Sequence, residues 1–180
     1  MKARTKRFDL IGAVILSFVM AYGGGTTRDL LIGIRPVSWI NDNFAIIIVL
    51  VATIITFFFK LNFKVIKKLL FWTDAFGIGF FTIVGLQIAL QAGISEGYAL
   101  IMGVITATFG GLLADIICNS VPNLLKPGEL YATACLLGGA LYLGMKFFKI
   151  NPEISMIVCV LVTAAIRIYS IRKKLQLPVI

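Results

Sequence analysis

Long apolar runs separated by short polar segments dominate the chain. Several of these runs approach the ~20 residues that a helix needs to cross a bilayer. The pattern therefore predicts six membrane-spanning helices. Their expected bounds are Phe8–Tyr22 with a short continuation Thr26–Ile34, then Phe44–Phe59, Thr73–Gln91, Tyr98–Cys118, Leu130–Phe147 and Ile154–Ser170.

A polar block interrupts the first apolar run. Consecutive glycines continue an α-helix only at a cost, because each loses backbone freedom and offers no side chain to pack. We expect the helix to break here, at a depth where bare backbone is tolerated only if it is buried in protein or lines a wet cavity. The block consists of Gly23, Gly24, Gly25, Thr26, Thr27, Arg28 and Asp29.

Two interpretations of this block stay open. Thr26 and Asp29 have the spacing of a capping box, in which their side chains bind the free amides that open the continuation helix. Alternatively, carbonyls released by the glycines, together with the hydroxyls of Thr26 and Thr27, replace part of a cation's hydration shell. Arg28 is either the partner of Asp29 or a pore residue that repels cations.

Composition places the chain in a membrane. Of the 180 residues, 59% are apolar and 14% are charged, and the mean hydropathy is +0.99. Soluble domains carry about 25% charged residues. Histidine is absent, and Cys118, Cys135 and Cys159 lie singly in apolar surroundings, so neither a zinc site nor a disulfide framework is indicated. We expect these thiols to pack as small hydrophobes.

The net charge of +9 is an orientation signal. If all six segments cross, twelve basic residues of the loops and termini fall on one side and four on the other. Short loops follow the positive-inside rule, so both termini are expected in the cytoplasm, and nucleic acid is not an expected partner. One juxtamembrane cluster would suffice to set topology, and contact with anionic lipid headgroups is its second interpretation. It consists of Lys60, Lys64, Lys67 and Lys68.

An internal repeat relates the two halves of this single transmembrane domain. The two glycine-containing spans are separated by two complete ones, so the copies face opposite ways, as in transport pathways near the bilayer midplane. We divide residues 1–180 into repeat one (8–60), repeat two (73–148) and a final helix (154–170), and symmetry suggests a further helix upstream of repeat one. A shift of 86 residues aligns Gly24, Gly25, Asp29 and Pro36 with Gly110, Gly111, Asp115 and Pro122.

The second glycine pair admits two interpretations. Gly110 and Gly111 either permit close helix packing or kink the helix, and their alignment with the first glycines favours a kink. Polar residues recur around this pair at spacings of about one and two helical turns, so one face is expected to line water. These residues are Thr106, Thr108, Asp115 and Asn119.

Two more polar residues lie in the third predicted span. Asp74 is near its expected start, where a carboxylate favours a helix N-terminus, and a cation-attracting mouth is the less favoured interpretation. Gln87 lies deep in the span, and we expect it to bond a neighbouring helix in a structural role.

Together these motifs resemble a known family. The block GGGTTRDLLIG at Gly23–Gly33, with Gly110, Gly111 and Asp115, is similar to small bacterial membrane proteins related to the trimeric intracellular cation (TRIC) channels, some of which are labelled glycine transporters. The resemblance implies two inverted three-helix bundles plus a last helix, a homotrimer, and an hourglass pore in each protomer framed by two glycine-broken helices. Ala114 departs from the family pattern, which usually places an arginine there.

The resulting expectation is a passive monovalent-cation channel of the bacterial inner membrane, conducting K⁺ and Na⁺. Cation preference would come from Asp29, Asp115 and carbonyl oxygens. A secondary carrier of a small zwitterion such as glycine is the alternative. A membrane scaffold is disfavoured because it has no need of paired glycine breaks. No catalytic constellation or cofactor motif is present in the sequence, so an enzyme or an ATP-driven pump is not expected.

Overall fold

The computed structural model describes residues 8–58, 63–126, 130–173 and 175, and of residues 63–67 it describes the backbone only. The described residues form six α-helices and two short 3₁₀ turns and contain no strand. The helices are α1 (Leu10–Ile32), α2 (Asn43–Phe58), α3 (Phe63–Gln91), α4 (Glu96–Ile117), α5 (Tyr131–Phe147) and α6 (Pro152–Lys173). The first turn, Ser38–Asn41, follows α1, and the second turn, Asn123–Leu125, follows α4.

Helix length and apolarity confirm an all-α membrane protein. Four helices, α1, α3, α4 and α6, are long and apolar enough to cross a bilayer. The other two are shorter, with 16 residues in α2 and 17 in α5. The six predicted spans therefore correspond to six observed helices.

Both glycine-containing helices run without interruption. The 23 residues of α1 include Gly23, Gly24 and Gly25, and the 22 residues of α4 include Gly110 and Gly111. The break predicted at Gly23–Gly25 is therefore wrong, and the helix is not interrupted at Gly110 and Gly111 either. A glycine inside a helix costs only about 1 kcal/mol, which close packing against a neighbouring helix offsets.

The glycines lie where α1 and α4 cross. A Cβ atom on Gly24 would collide with the carbonyl oxygen of Thr106, and one on Gly110 would collide with the carbonyl oxygen of Met20. Met20 and Thr106 are themselves 86 residues apart, so this is one contact made twice, in the reciprocal manner of a two-fold axis. Along the interface, Gly24 of α1 contacts Thr106 of α4, and Met20 contacts Gly110, so a lower number in α1 meets a higher number in α4. The two helices are therefore antiparallel, as an inverted repeat requires.

The ends of these two helices confirm the repeat. Gly33 after α1 and Asn119 after α4 both have left-handed backbones, with φ of 78° and 45°. Glycine and asparagine are the residues that accept this conformation at a helix end. The next amides, of Ile34 and Ser120, donate to the carbonyls of Asp29 and Asp115 at 2.9 and 3.0 Å. The members of each pair, Gly33 and Asn119, Ile34 and Ser120, and Asp29 and Asp115, are again 86 residues apart.

Small residues hold the remaining helices together. Gly79 of α3 abuts the backbone of Val160 in α6, and Gly103 of α4 abuts the carbonyl of Thr82 in α3. Such close approach is the usual packing mode in membranes, where no hydrophobic effect drives helices together. The three cysteines, Cys118, Cys135 and Cys159, are buried among the helices, as expected of small hydrophobes.

A cross-helix hydrogen bond confirms the structural role predicted for Gln87. Its Nε2 donates to the hydroxyl of Tyr142 at 2.6 Å and so links α3 to α5.

The third helix begins earlier than predicted. It starts at Phe63 rather than Thr73, because lysines are good helix formers and extend the helix beyond its apolar stretch. Asp74 is consequently inside the helix, and the N-terminal role predicted for it is wrong. Of the predicted lysine cluster, Lys60 and the side chains of Lys64 and Lys67 lie outside the described residues, and Lys68 is exposed.

A cavity at the crossing of the two repeats

A cavity of about 610 Å³ follows the crossing of α1 and α4. Its walls come from α1, α3, α4, both 3₁₀ turns and the start of α5. The candidate residues on its walls are Gly24, Gly25, Arg28, Asp29, Thr106, Gly110, Gly111 and Asp115. Gly23, Thr26, Thr27 and Asn119 lie outside the lining.

Arg28 and Asp29 form a buried ion pair at one end of the cavity. Their exposed fractions are 4% and 0%. Arg28 donates from Nε and Nη2 to Oδ1 of Asp29, at 2.9 and 2.6 Å. Of the two interpretations left open for Arg28, the structure thus shows the pairing with Asp29. Two charge-assisted hydrogen bonds offset the cost of removing both charges from water.

The other oxygen of Asp29 clamps the first turn. Oδ2 accepts from the backbone amide of Ser38 at 2.8 Å and from its hydroxyl at 2.7 Å. The capping box predicted for Thr26 and Asp29 is therefore wrong. Because α1 is continuous, no free amides exist at this point, and the carboxylate serves the arginine and the turn instead.

The hydroxyls of Thr26 and Thr27 bond to their own helix. They donate to the carbonyls of Tyr22 and Gly23 at 2.8 Å each, the i−4 pattern common for such residues in membrane helices. These carbonyls remain in the helix and are not released, so the expected row of free carbonyls does not form at this glycine block.

Trp39 of the first turn lies against α1 and lines the cavity. Its indole Nε1 donates to Oγ1 of Thr26 at 2.8 Å. Its ring lies 4.8 Å from that of Phe18, edge-on, and 5.5 Å from that of Tyr22. Sequence reasoning missed Trp39 because its partners lie on the preceding helix, and only the fold-back of the chain after Pro36 brings them together.

Asp115 repeats the clamp in the second half. It is 3% exposed. Its Oδ1 accepts from the hydroxyl of Ser120 at 3.0 Å, and its Oδ2 accepts from the amide of Asn123 in the second turn at 3.2 Å. The neighbouring residue is Ala114, so the guanidinium that Arg28 supplies in the first half has no counterpart at the aligned position.

Two further carboxylates on the cavity wall are open to solvent. Asp42 is exposed, and its Oδ1 accepts from the amide of Ala45 at 2.9 Å at the start of α2. Asp74 also lines the cavity, with its side chain 44% exposed. The sequence offered a signal only for Asp74, and Asp42 was missed because it lies in a short polar loop.

Arg167 of α6 stands behind Asp74. Its Nη2 is 3.5 Å from Oδ2 of Asp74, and its guanidinium lies 4.4 Å from the ring centroid of Tyr131. A lone arginine in an apolar run was the available signal, since ionisable groups at membrane depth are rare and usually paired. Its partner on another helix could not be identified from the sequence.

Carboxylates are the main charged groups on the cavity wall. Among the described residues, four carboxylates line it, together with Thr106 and Thr108, against one guanidinium, that of Arg28. Oxygen ligands and negative charge attract hard cations and repel anions.

Comparison with known sequences identifies the family. A family model described as Glycine transporter matches residues 1–60 and 71–146. A UPF0126 membrane protein of Vibrio cholerae is 34% identical over 176 residues, which cover 96% of this chain and 72% of the relative. The UPF0126 inner membrane protein YadS of Escherichia coli K12 is 33% identical over 174 residues, covering 96% and 84%.

Solved structures share the fold. One structure, described as the structural basis for conductance through TRIC cation channels, superposes with a TM-score of 0.91 at 33% identity, covering 99% of this chain and 88% of the other. A TRIC trimeric intracellular cation channel orthologue from Rhodobacter sphaeroides superposes with a TM-score of 0.87 at 34% identity, covering 97% of this chain and 89% of the other. The chain therefore belongs to the family of bacterial membrane proteins described as glycine transporters, and it is a homologue of the TRIC channels.

Proposed function

We propose that the protein is a passive monovalent-cation channel with a pore inside each protomer, conducting K⁺ and Na⁺. The observation that carries this proposal is the carboxylate-lined cavity that extends to both sides of the α1–α4 crossing. Asp29 and Asp42 lie towards one end, and Asp74 and Asp115 towards the other. The solved relatives are named as cation channels, which supports the same function here.

The two clamps give the cavity defined walls. Each buried carboxylate, Asp29 or Asp115, ties the end of a long helix to the turn that follows it. The Arg28–Asp29 pair is nearly neutral as a unit, and the guanidinium of Arg167, 3.5 Å from Asp74, offsets part of that carboxylate's charge. A cation entering the cavity exchanges part of its hydration for oxygen ligands and moves down its own gradient.

We place the channel in the bacterial inner membrane as a homotrimer, with both termini in the cytoplasm. The R. sphaeroides relative is named as trimeric. Much of α2 is apolar and open in the single chain, with Phe44 74%, Ile47 56% and Phe58 66% exposed. Such a surface suits lipid or a neighbouring protomer rather than water.

A secondary carrier of glycine or a similar small zwitterion is the second candidate. The description of the family model favours it. A cavity of about 610 Å³ also has room for such a molecule, and its wall carries both carboxylates and a guanidinium.

Reconstitution separates the two functions. The full chain in planar bilayers under a KCl gradient should give stepwise unitary currents that reverse close to the K⁺ equilibrium potential. Replacing Asp115 by Ala should lower the cation conductance or the K⁺/Cl⁻ permeability ratio. The matched control is Glu153→Gln, which removes an exposed carboxylate outside the cavity lining and should leave both unchanged.

The opposite result would support the carrier. In that case the bilayers show no unitary currents, and liposomes containing the protein take up radiolabelled glycine with saturation and counterflow.

A further inference from the structure

Arg167 is a buried cation that the channel proposal leaves without a role. It lies within α6, with its side chain 3% exposed. Placing a guanidinium at membrane depth is costly unless a partner compensates the charge. Among the described residues, Arg167 contacts a carboxylate oxygen of Asp74 at 3.5 Å and the ring of Tyr131 at 4.4 Å.

Tyr131 completes the cluster. Its hydroxyl donates to Oδ1 of Asp74 at 3.1 Å, while Arg167 faces Oδ2. Both oxygens of Asp74 are therefore oriented by groups from other helices, Tyr131 from α5 and Arg167 from α6. We call these three residues the Asp74 cluster.

The Asp74 cluster opens onto the cavity on one side only. Asp74 and Tyr131 line the cavity, whereas Arg167 lies behind them, outside the lining. The side chain of Asp74 is 44% exposed, while the residues Asp29 and Asp115 are 0% and 3% exposed. Of these three carboxylates, Asp74 is thus by far the most exposed.

Helix register places Asp74 at the same end of the cavity as Asp115. In the antiparallel pair of α3 and α4, Gly85 contacts Thr106. Asp74 lies about three turns before Gly85, and Asp115 lies two to three turns after Thr106, which brings them level. Asp42 follows the first turn, whose Ser38 bonds to Asp29 and whose Trp39 bonds to Thr26, so it lies in the Asp29 half of the cavity.

We propose that Asp74 attracts the permeating cation at its end of the pore and that Arg167 is the positioning residue that holds Asp74 on the wall. This inference rests on the channel function proposed above. Arg167 does not meet the ion. It fixes one carboxylate oxygen from behind, so that the negative charge stays at the mouth instead of rotating away from it.

A fixed charge at one mouth has a directional effect on current. It raises the local cation concentration on its own side and so favours entry from that side. Salt screens this effect, because the Debye length falls from about 30 Å at 0.01 M to about 3 Å at 1 M. Loss of Asp74 should therefore change the shape of the current–voltage curve at low salt.

The test uses patches excised from giant spheroplasts that express the full chain, where all channels are inserted in the same direction. In 10 mM KCl, Asp74→Asn should reduce the current entering from the Asp74 end by about twofold relative to the opposite current. Asp42→Asn should shift the ratio in the other direction. Both shifts should disappear in 1 M KCl, and Glu153→Gln should cause neither.

The Arg167 variants distinguish positioning from simple structural support. Arg167→Gln should shift the ratio in the same direction as Asp74→Asn, because the loss of positioning outweighs the removal of a positive charge, and Arg167→Lys should retain the wild-type ratio. A shift in the opposite direction is the result expected if Arg167 only neutralises Asp74, and it would overturn the positioning role. Thermal unfolding of each purified variant is measured in parallel. A purely structural role would lower the unfolding temperature while leaving the current ratio unchanged, which would overturn the proposal for Arg167.

Failure of the inference and failure of the channel function give different results. If the wild-type chain conducts and Asp74→Asn keeps the wild-type ratio at low salt, the role of Asp74 is wrong and the channel stands. If the wild-type chain gives no current at all, both proposals are wrong.

Discussion

Adjacent glycines in this protein have different surroundings, and this difference determines what each contributes. Gly110 faces the backbone of Met20, whereas no atom lies within 4 Å of a Cβ built on Gly111. Gly24 faces the backbone of Thr106, whereas Gly25 has only the end of the Arg28 side chain nearby, at 3.8 Å. One glycine of each pair allows the helices to touch, and the other has space for a methyl group.

Alanine substitutions should therefore separate the members of each pair. Gly110→Ala and Gly24→Ala force the two backbones apart and should cost about 1–3 kcal/mol of unfolding free energy. Gly111→Ala meets no atom and gains helix propensity, so it should be neutral or stabilising by up to about 1 kcal/mol. Unfolding in mixed micelles, followed by circular dichroism, measures these differences.

Equal destabilisation by Gly110→Ala and Gly111→Ala would contradict this account. It would mean that glycine flexibility, and not the helix crossing, is the property required at this place.

At the scale of elements, each long helix is fastened to the turn that follows it. In the first half the fastening has two parts, the Asp29 clamp on Ser38 and the bond from Trp39 to Thr26. The second turn has the carboxylate clamp of Asp115, and the position aligned with Trp39 is Leu125, which is 69% exposed. The first turn is thus held more firmly to its helix than the second.

A double-mutant cycle should detect the extra bond. Thr26→Val combined with Trp39→Phe should show a coupling of about 0.5–1.5 kcal/mol, because either change alone removes the same hydrogen bond. Thr27→Val is the matched control, since the hydroxyl of Thr27 bonds only to the carbonyl of Gly23 among the contacts described. Its coupling with Trp39→Phe should be close to zero.

The stability of each variant is measured by unfolding in mixed micelles. Equal coupling of Thr26 and Thr27 to Trp39 would show that the indole acts through ring packing on α1 and not through its N–H group.

The whole molecule consists of two related halves that run in opposite directions through the membrane. The distribution of basic residues indicates the orientation of the protein in the membrane. If twelve of the basic loop and terminal residues face the cytoplasm, the loop between α3 and α4 faces outward and the loop between α4 and α5 faces inward. The cavity end with Asp29 is then outside, and the end with Asp74 is inside.

Cysteine accessibility in spheroplasts tests this orientation. Ser95→Cys, at an exposed position between α3 and α4, should react with a membrane-impermeant maleimide in intact spheroplasts. Leu125→Cys should react only after permeabilisation. The native cysteines are buried, so wild-type labelling should be low in both conditions. The reverse pattern would invert the assigned direction.

The sequence by itself determined the membrane class, the six helices and the repeat, because these depend on composition and on local spacing. It also offered the Arg28–Asp29 pair as one of two interpretations, because its members are neighbours in the chain. Sequence evidence was equally sufficient for the cross-helix role of Gln87, since a lone amide in an apolar helix needs a partner.

Only the tertiary structure decided what the glycines do. A glycine pair in a helix is compatible with a break or with a close crossing, and the choice depends on whether a second backbone comes within reach. The same holds for the clamp from Asp29 to Ser38 and for the pairing of Asp74 with Arg167. These partners are distant in sequence, and helix packing alone determines which polar groups meet, because in a membrane the packing is set by shape and hydrogen bonding rather than by a hydrophobic pattern.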